Sequence, residues 1–84
     1  MEENPYLKSV ILEVVENQLR ANEPPETRKT FERLISKGYS ENEAKELIRC
    51  VVSSEIFDVL KQKQPFNPER FAKALDKLPK LPWD

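Results

Sequence analysis

Apolar positions recur at helical spacing in four separate stretches of this chain, and prolines, a glycine and capping residues divide them. The longest stretch is residues 40–63, SENEAKELIRCVVSSEIFDVLKQK. Ala44, Leu47, Ile48 and Val51 share one stripe of it. Val52, Ile56, Val59 and Leu60 continue that stripe after a rotation of about 100°, and Cys50 and Phe57 lie on a further side, one heptad apart. A helix that is apolar around so much of its circumference is normally surrounded by other elements. Residues 40–63 are therefore predicted to be the central helix of a small all-α domain, packed against three others. On that reading Leu47→Ala or Val51→Ala each costs about 2–4 kcal/mol.

The flanking segments carry clear start and stop signals. Asn4-Pro5 reads as an N-cap followed by proline at the first helical position, where its missing N–H costs nothing. Leu7, Val10, Ile11, Val14, Val15 and Leu19 give this first helix its apolar face, with Glu16 and Arg20 as an exposed i,i+4 pair. Pro24-Pro25 closes it, predicting a helix over 5–22. The second helix, 25–37, presents Thr27, Phe31, Leu34 and Ile35 inward. Gly38 can take the left-handed conformation of a Schellman C-cap, with Tyr39 packing back on Leu34. Ser40 and Glu43 form a capping box for the central helix, 41–63. Pro65 breaks the next connection, Asn67-Pro68 opens a last helix over 68–78, and Phe66 and Phe71 stand at staple positions. Phe71, Ala74, Leu75 and Leu78 form its stripe. The Pro-rich tail, 79–84, is expected to be extended. The fold class is thus all-α, a compact four-helix domain with a long central third helix.

Composition bounds this picture. The 84 residues make one small domain, which buries roughly 60–65% of the surface its unfolded chain exposes. With 38% hydrophobic and 35% charged residues, a thin core lies under a heavily solvated surface. The acidic start MEENPYLK lacks the apolar stretch of a secretory signal, and no apolar run approaches membrane-spanning length. A cytoplasmic protein that does not enter membranes is the expectation. The net charge is −1, but residues 1–26 carry six acids and two bases, and residues 27–84 nine acids and twelve bases. Much of the basic excess falls between Lys61 and Lys80.

Candidate chemistry is sparse. The chain has no histidine, which removes Ser-His and Cys-His nucleophiles and every His-based metal site. Cys50 is expected to be a buried small hydrophobe. Glu13, Glu16 and Glu55 are the only carboxylates considered for a metal, and Glu55 beside the apolar stripe is expected to pair with a Lys or Arg. No enzymatic activity and no cofactor are expected. The tail carries a PxxP spacing, Pro79 to Pro82, which suits an aromatic-lined groove, although Leu81 and Trp83 are more simply expected to fold back over the core.

Residues 34–44, Leu-Ile-Ser-Lys-Gly-Tyr-Ser-Glu-Asn-Glu-Ala, resemble the first turn of a ubiquitin-associated (UBA-like) domain, in which a Gly-aromatic loop contacts the partner. That resemblance implies a binding role for Tyr39. The central helix is longer than that family's. A longer stretch, residues 4–52, resembles a small uncharacterised bacterial family of all-helical domains. It shares an Asn-Pro start (Asn4-Pro5), a Glu-x-Gln-Leu helix end (Glu16 to Leu19), a Pro-Pro-Glu turn (Pro24 to Glu26), then Gly38 and Glu43-Ala44. The resemblance implies histidines where this chain has Lys8, Leu12, Asn42 and Glu46, so a metal cluster at those positions is not expected here. It implies the fold and no activity.

The function expected from these residues is a non-enzymatic protein-interaction or assembly module. Its partner is another protein or a second copy, and Tyr39, Phe57, Leu81 and Trp83 are the candidate partner-binding residues. The alternatives are the UBA-like module and a nucleic-acid-binding helix–turn–helix over residues 26–52. The second of these needs Lys45 and Arg49 to face outward, although Glu41, Glu43 and Glu46 lie beside them and repel phosphate.

Overall fold

The computed structural model describes residues 5–63 and 65–83, so the expected Asn4 cap, Gln64 and Asp84 lie outside the described residues. It contains α1 (Pro5–Ala21), α2 (Pro25–Ser36), α3 (Glu41–Gln62) and α4 (Pro68–Lys77), and no strand among the described residues. Side-chain caps open α3 and α4, whereas α2 opens on Pro24-Pro25 without one. The chain is a compact four-helix domain, with a radius of gyration of 12.2 Å.

The helix termini follow the sequence signals closely. Gly38 sits at φ +100°, Tyr39 N–H donates to Leu34 C=O at 3.1 Å, and Gly38 N–H donates to Ile35 C=O at 3.0 Å. This pair of bonds is the Schellman motif. Ser40 and Glu43 make both bonds of the capping box, at 2.9 and 3.1 Å. Asn67 Oδ1 accepts from Arg70 N–H at 3.1 Å, and the Phe66 and Phe71 rings lie 5.7 Å apart. α1 stops at Ala21, before the prolines act. Asn22 takes the left-handed conformation at φ 56°, and Glu23 N–H closes on Gln18 C=O.

α3 touches α1, α2 and α4, whereas α1 and α4 do not touch each other. The core joins Ile11 and Val15 of α1, Leu34 of α2, Ala44, Ile48, Val51 and Val52 of α3, and Phe71 and Leu75 of α4, with Leu78 just beyond. Lys8 pairs with Glu46 and Glu16 with Lys45. Neighbouring residues of α3 thus reach points eight residues apart on α1.

Several expectations are corrected. Full burial on α3 ends at Glu55: Val59 is half-buried, and Ile56 and Leu60 are exposed, because they lie on the side of the helix opposite Val51 and Glu55. Leu47 and Cys50 are half-buried, not core residues. On α2 the buried seam is Thr27, Thr30 and Leu34, which leaves Ile35 about 100° off its centre and exposed. Leu7 and Val10 are likewise exposed on α1. The Glu16–Arg20 pair does not form, since Glu16 takes Lys45 at 2.6 Å and Arg20 donates to Asn17 Oδ1. The tail is not extended at its start, where Lys80 N–H turns back to Lys77 C=O at 2.9 Å.

Ile48 has no exposed surface, whereas Leu47 is half-buried. Ile48→Ala is therefore expected to lower the urea-unfolding free energy by about 2–5 kcal/mol. Leu47→Ala should cost clearly less, because its site opens to water. Equal losses in the two denaturation curves would contradict this placement of α3.

Candidate interaction surface

Two features of α3 distinguish its C-terminal half: a buried ion pair on one side and an uncovered apolar face on the other. Glu55 is the last buried residue of the helix, at 6% exposure. Its Oε1 accepts from Arg70 Nη2 at 2.7 Å and from Asn67 N–H at 3.3 Å, and its Oε2 accepts from Arg70 Nε at 3.0 Å. The fork-on-fork geometry is the strong form of an Arg–carboxylate contact. The Arg70 bonds outweigh the opposing effect of burial and hold the Glu55 carboxyl below its ordinary pKa. Every strong acceptor of this carboxylate is engaged, so it locks α4 onto α3 instead of serving as an acid or base.

On the opposite side Ile56, Phe57 and Leu60 are 39%, 47% and 73% exposed. Their i, i+1, i+4 spacing puts them on one face, directly away from Val51 and Glu55. Lys61 Nζ lies 5.5 Å from the centre of the Phe57 ring and shields part of it. Exposed contiguous apolar surface of this kind marks an interaction site. Leu7 and Val10 of α1 are also exposed, at 50% and 39%.

The four candidate residues do not converge on a single site. Tyr39 is half-buried in the α2–α3 turn and packs against the core, Phe57 lies on the uncovered face of α3, and Leu81 is half-buried against the core. Trp83 is 62% exposed and does not fold back as expected. The helix–turn–helix reading fares poorly in geometry. Lys45 is tied to Glu16, and Arg49, only 8% exposed, donates to Glu46 Oε2 at 3.1 Å, so neither presents a free basic face. Of the positions where the bacterial family resemblance implies histidines, Lys8 and Glu46 are brought together at 3.6 Å. Among the described residues no three His, Cys, Asp or Glu side chains group as a metal site; Glu13 is exposed and Glu16 and Glu55 are engaged by bases.

Two participants were invisible to sequence reasoning. Arg33 of α2 donates from Nη1 to Leu78 C=O and from Nη2 to Leu75 C=O, both at 2.9 Å, closing the C-terminus of α4. Arg70 was not singled out as the partner of Glu55. Only the i, i+3 relation of Asn67 to Arg70 hinted that the cap and the base would arrive together.

Comparisons with protein-family models, curated proteins and solved structures return no match for this chain. Among the described residues no helix is long and apolar enough to cross a membrane.

The Glu55 pKa is lowered in the folded state, so its stabilisation is fully present above the ordinary carboxylate value and is lost as pH falls through the folded one. Wild-type protein should therefore lose part of its thermal stability below about pH 4.5. In Glu55→Gln that acid-dependent component should be smaller. Glu55→Ala, which strands Asn67 N–H and the Arg70 guanidinium, should cost about 1–3 kcal/mol at pH 7. Melting curves of the three proteins between pH 3 and 7 check both statements, and an identical acid slope in Glu55→Gln contradicts the first.

Proposed function

We propose that this chain is a non-enzymatic assembly module that pairs with a second copy of itself through the uncovered face of α3. The observation that carries this reading is the exposed Ile56–Phe57–Leu60 face, which no helix of the same chain covers. An isologous two-fold contact sets the same patch against itself, and apolar residues at the centre of such a contact supply most of the association energy.

Charge supports a second copy as the occupant. The net charge of −1 imposes little repulsion between copies. The distribution is also self-complementary. The first 26 residues are acidic by four charges, whereas Lys61 and Lys63 stand at the far end of α3. An antiparallel arrangement of two α3 helices carries the basic end of each copy towards the start of α3 in the other, whose first turn holds Glu41 and Glu43. Opposite charges at the rim orient the encounter and contribute less than the apolar centre to its strength.

Sedimentation equilibrium between about 1 µM and about 1 mM tests the reading. The weight-average mass should rise from one chain towards two across that range. Leu60→Glu should keep the mass at one chain, with its circular dichroism and melting temperature unchanged, since Leu60 takes no part in the core. Wild-type protein that stays monomeric at the highest concentration would remove the proposal.

A further inference from the structure

The side of α3 away from its exposed apolar face borders a cleft of about 440 Å³ between α3, α4 and the segment after α4. Ala74, Leu81 and Pro82 give it apolar walls. Its charges are sorted by position. Asp58 and Glu69 line it near the start of α4, close to Arg70, whereas Lys73, Lys77 and Lys80 line it towards the other end.

These three lysines differ from the bases that lie between helices. Lys8, Lys45, Arg49 and Arg70 each meet a carboxylate within ion-pair distance. Among the described residues no carboxylate lies that close to Lys73, Lys77 or Lys80. A row of uncompensated ammonium groups along an apolar-walled cleft is a local positive field with room for a ligand beneath it.

We propose that this cleft is a docking site for an acidic, extended peptide segment of a partner protein. Lys73 and Lys77 rise about 6 Å apart along α4. Alternate residues of an extended chain are spaced about 6.6 Å apart. A Glu-x-Glu pattern therefore matches the two ammonium groups in register, Lys80 takes a further carboxylate, and an adjoining apolar side chain reaches Leu81 and Pro82. A nucleic acid suits the cleft less well, because Asp58 and Glu69 repel a phosphate track that continues along α4. This docking site is separate from the self-association face, since Val51, Glu55 and Asp58, which line the cleft on α3, lie about 100–160° from Phe57 around that helix.

Trp83, the only tryptophan in the chain, adjoins Pro82 and reports on the cleft by its emission. The probe is a fluorescein-labelled peptide of about ten residues in which Glu alternates with Leu. Controls are its Lys-for-Glu counterpart and a labelled single-stranded oligonucleotide of similar length. At low salt the acidic peptide should raise its anisotropy on binding and shift the Trp83 emission, and the basic peptide should do neither. The double variant Lys73→Glu/Lys77→Glu should weaken binding by about tenfold or more, whereas Lys29→Glu/Lys37→Glu, at exposed sites on and just after α2, should not. All four lysines are exposed, so the variants keep the fold, which circular dichroism verifies. Repeating the titration in Leu60→Glu separates this site from self-association. No binding of the acidic peptide, equal loss in both double variants, or tighter binding of the oligonucleotide each overturns the proposal.

Discussion

The structure depends on a mismatch of lengths. α3 has 22 residues and runs about 33 Å, whereas α2 and α4 have 12 and 10 residues and span about 18 and 15 Å. α1, at 17 residues, is also shorter than α3, and its ion pairs to α3 fall at Lys45 and Glu46, near the start of that helix. Full burial on α3 ends at Glu55, past which Asp58 and Val59 are half-buried. The remaining turns still carry Ile56, Phe57 and Leu60. The domain is therefore built around a helix that one copy of the chain does not finish covering, which is the premise of the assembly role proposed above.

α4 shows how a short element is held in such a domain. Ten residues do not make a stable helix in water by themselves, because nucleation costs more than so few bonds return. Its N-terminus is fixed by the Asn67 cap, by the Phe66–Phe71 staple and by the Glu55 fork on Arg70. Its C-terminus is closed by Arg33, which supplies donors to carbonyls that the helix itself leaves open. The Glu55–Arg70 pair is only partly withdrawn from water on the arginine side, so the guanidinium keeps some hydration while the carboxylate is fully bonded. That arrangement escapes much of the desolvation cost that makes buried ion pairs poor stabilisers.

What was legible in the sequence follows the range of the interaction. Gly38, the Ser40–Glu43 box, Asn67-Pro68 and the Phe66–Phe71 staple act over at most five residues, and local chemistry is enough to identify them. The four helices and most core residues follow from periodicity for the same reason. Periodicity failed at Ile56, Leu60, Leu7 and Val10, because a stripe shows which side of a helix is apolar and not how far a neighbour extends along it. Thr30 was missed for the converse reason, being polar in type yet buried. Arg33 reaches carbonyls 42 and 45 residues away, a separation at which the sequence carries no pattern. Of the candidate residues, Phe57 and Trp83 are exposed, Tyr39 and Leu81 are half-buried, and the lysine row on α4 shows in sequence only as a diffuse excess of basic residues.

The phase of α3 ties the two proposed surfaces to different dependencies. Ile56, Phe57 and Leu60 belong to α3 alone, so their arrangement persists as long as the helix does. The lysine cleft is walled by α4, and α4 keeps its place through Glu55, Arg70 and Arg33. Protonating Glu55 weakens the wall of the cleft while leaving the apolar face on the same helix in register. On the two proposals, acid would act on peptide docking before it acts on pairing between copies, and salt would act in the same order, because it screens the lysines and leaves apolar burial largely untouched. The two proposed contacts thus fall on chemically distinct sides of a single helix, and neither requires the other.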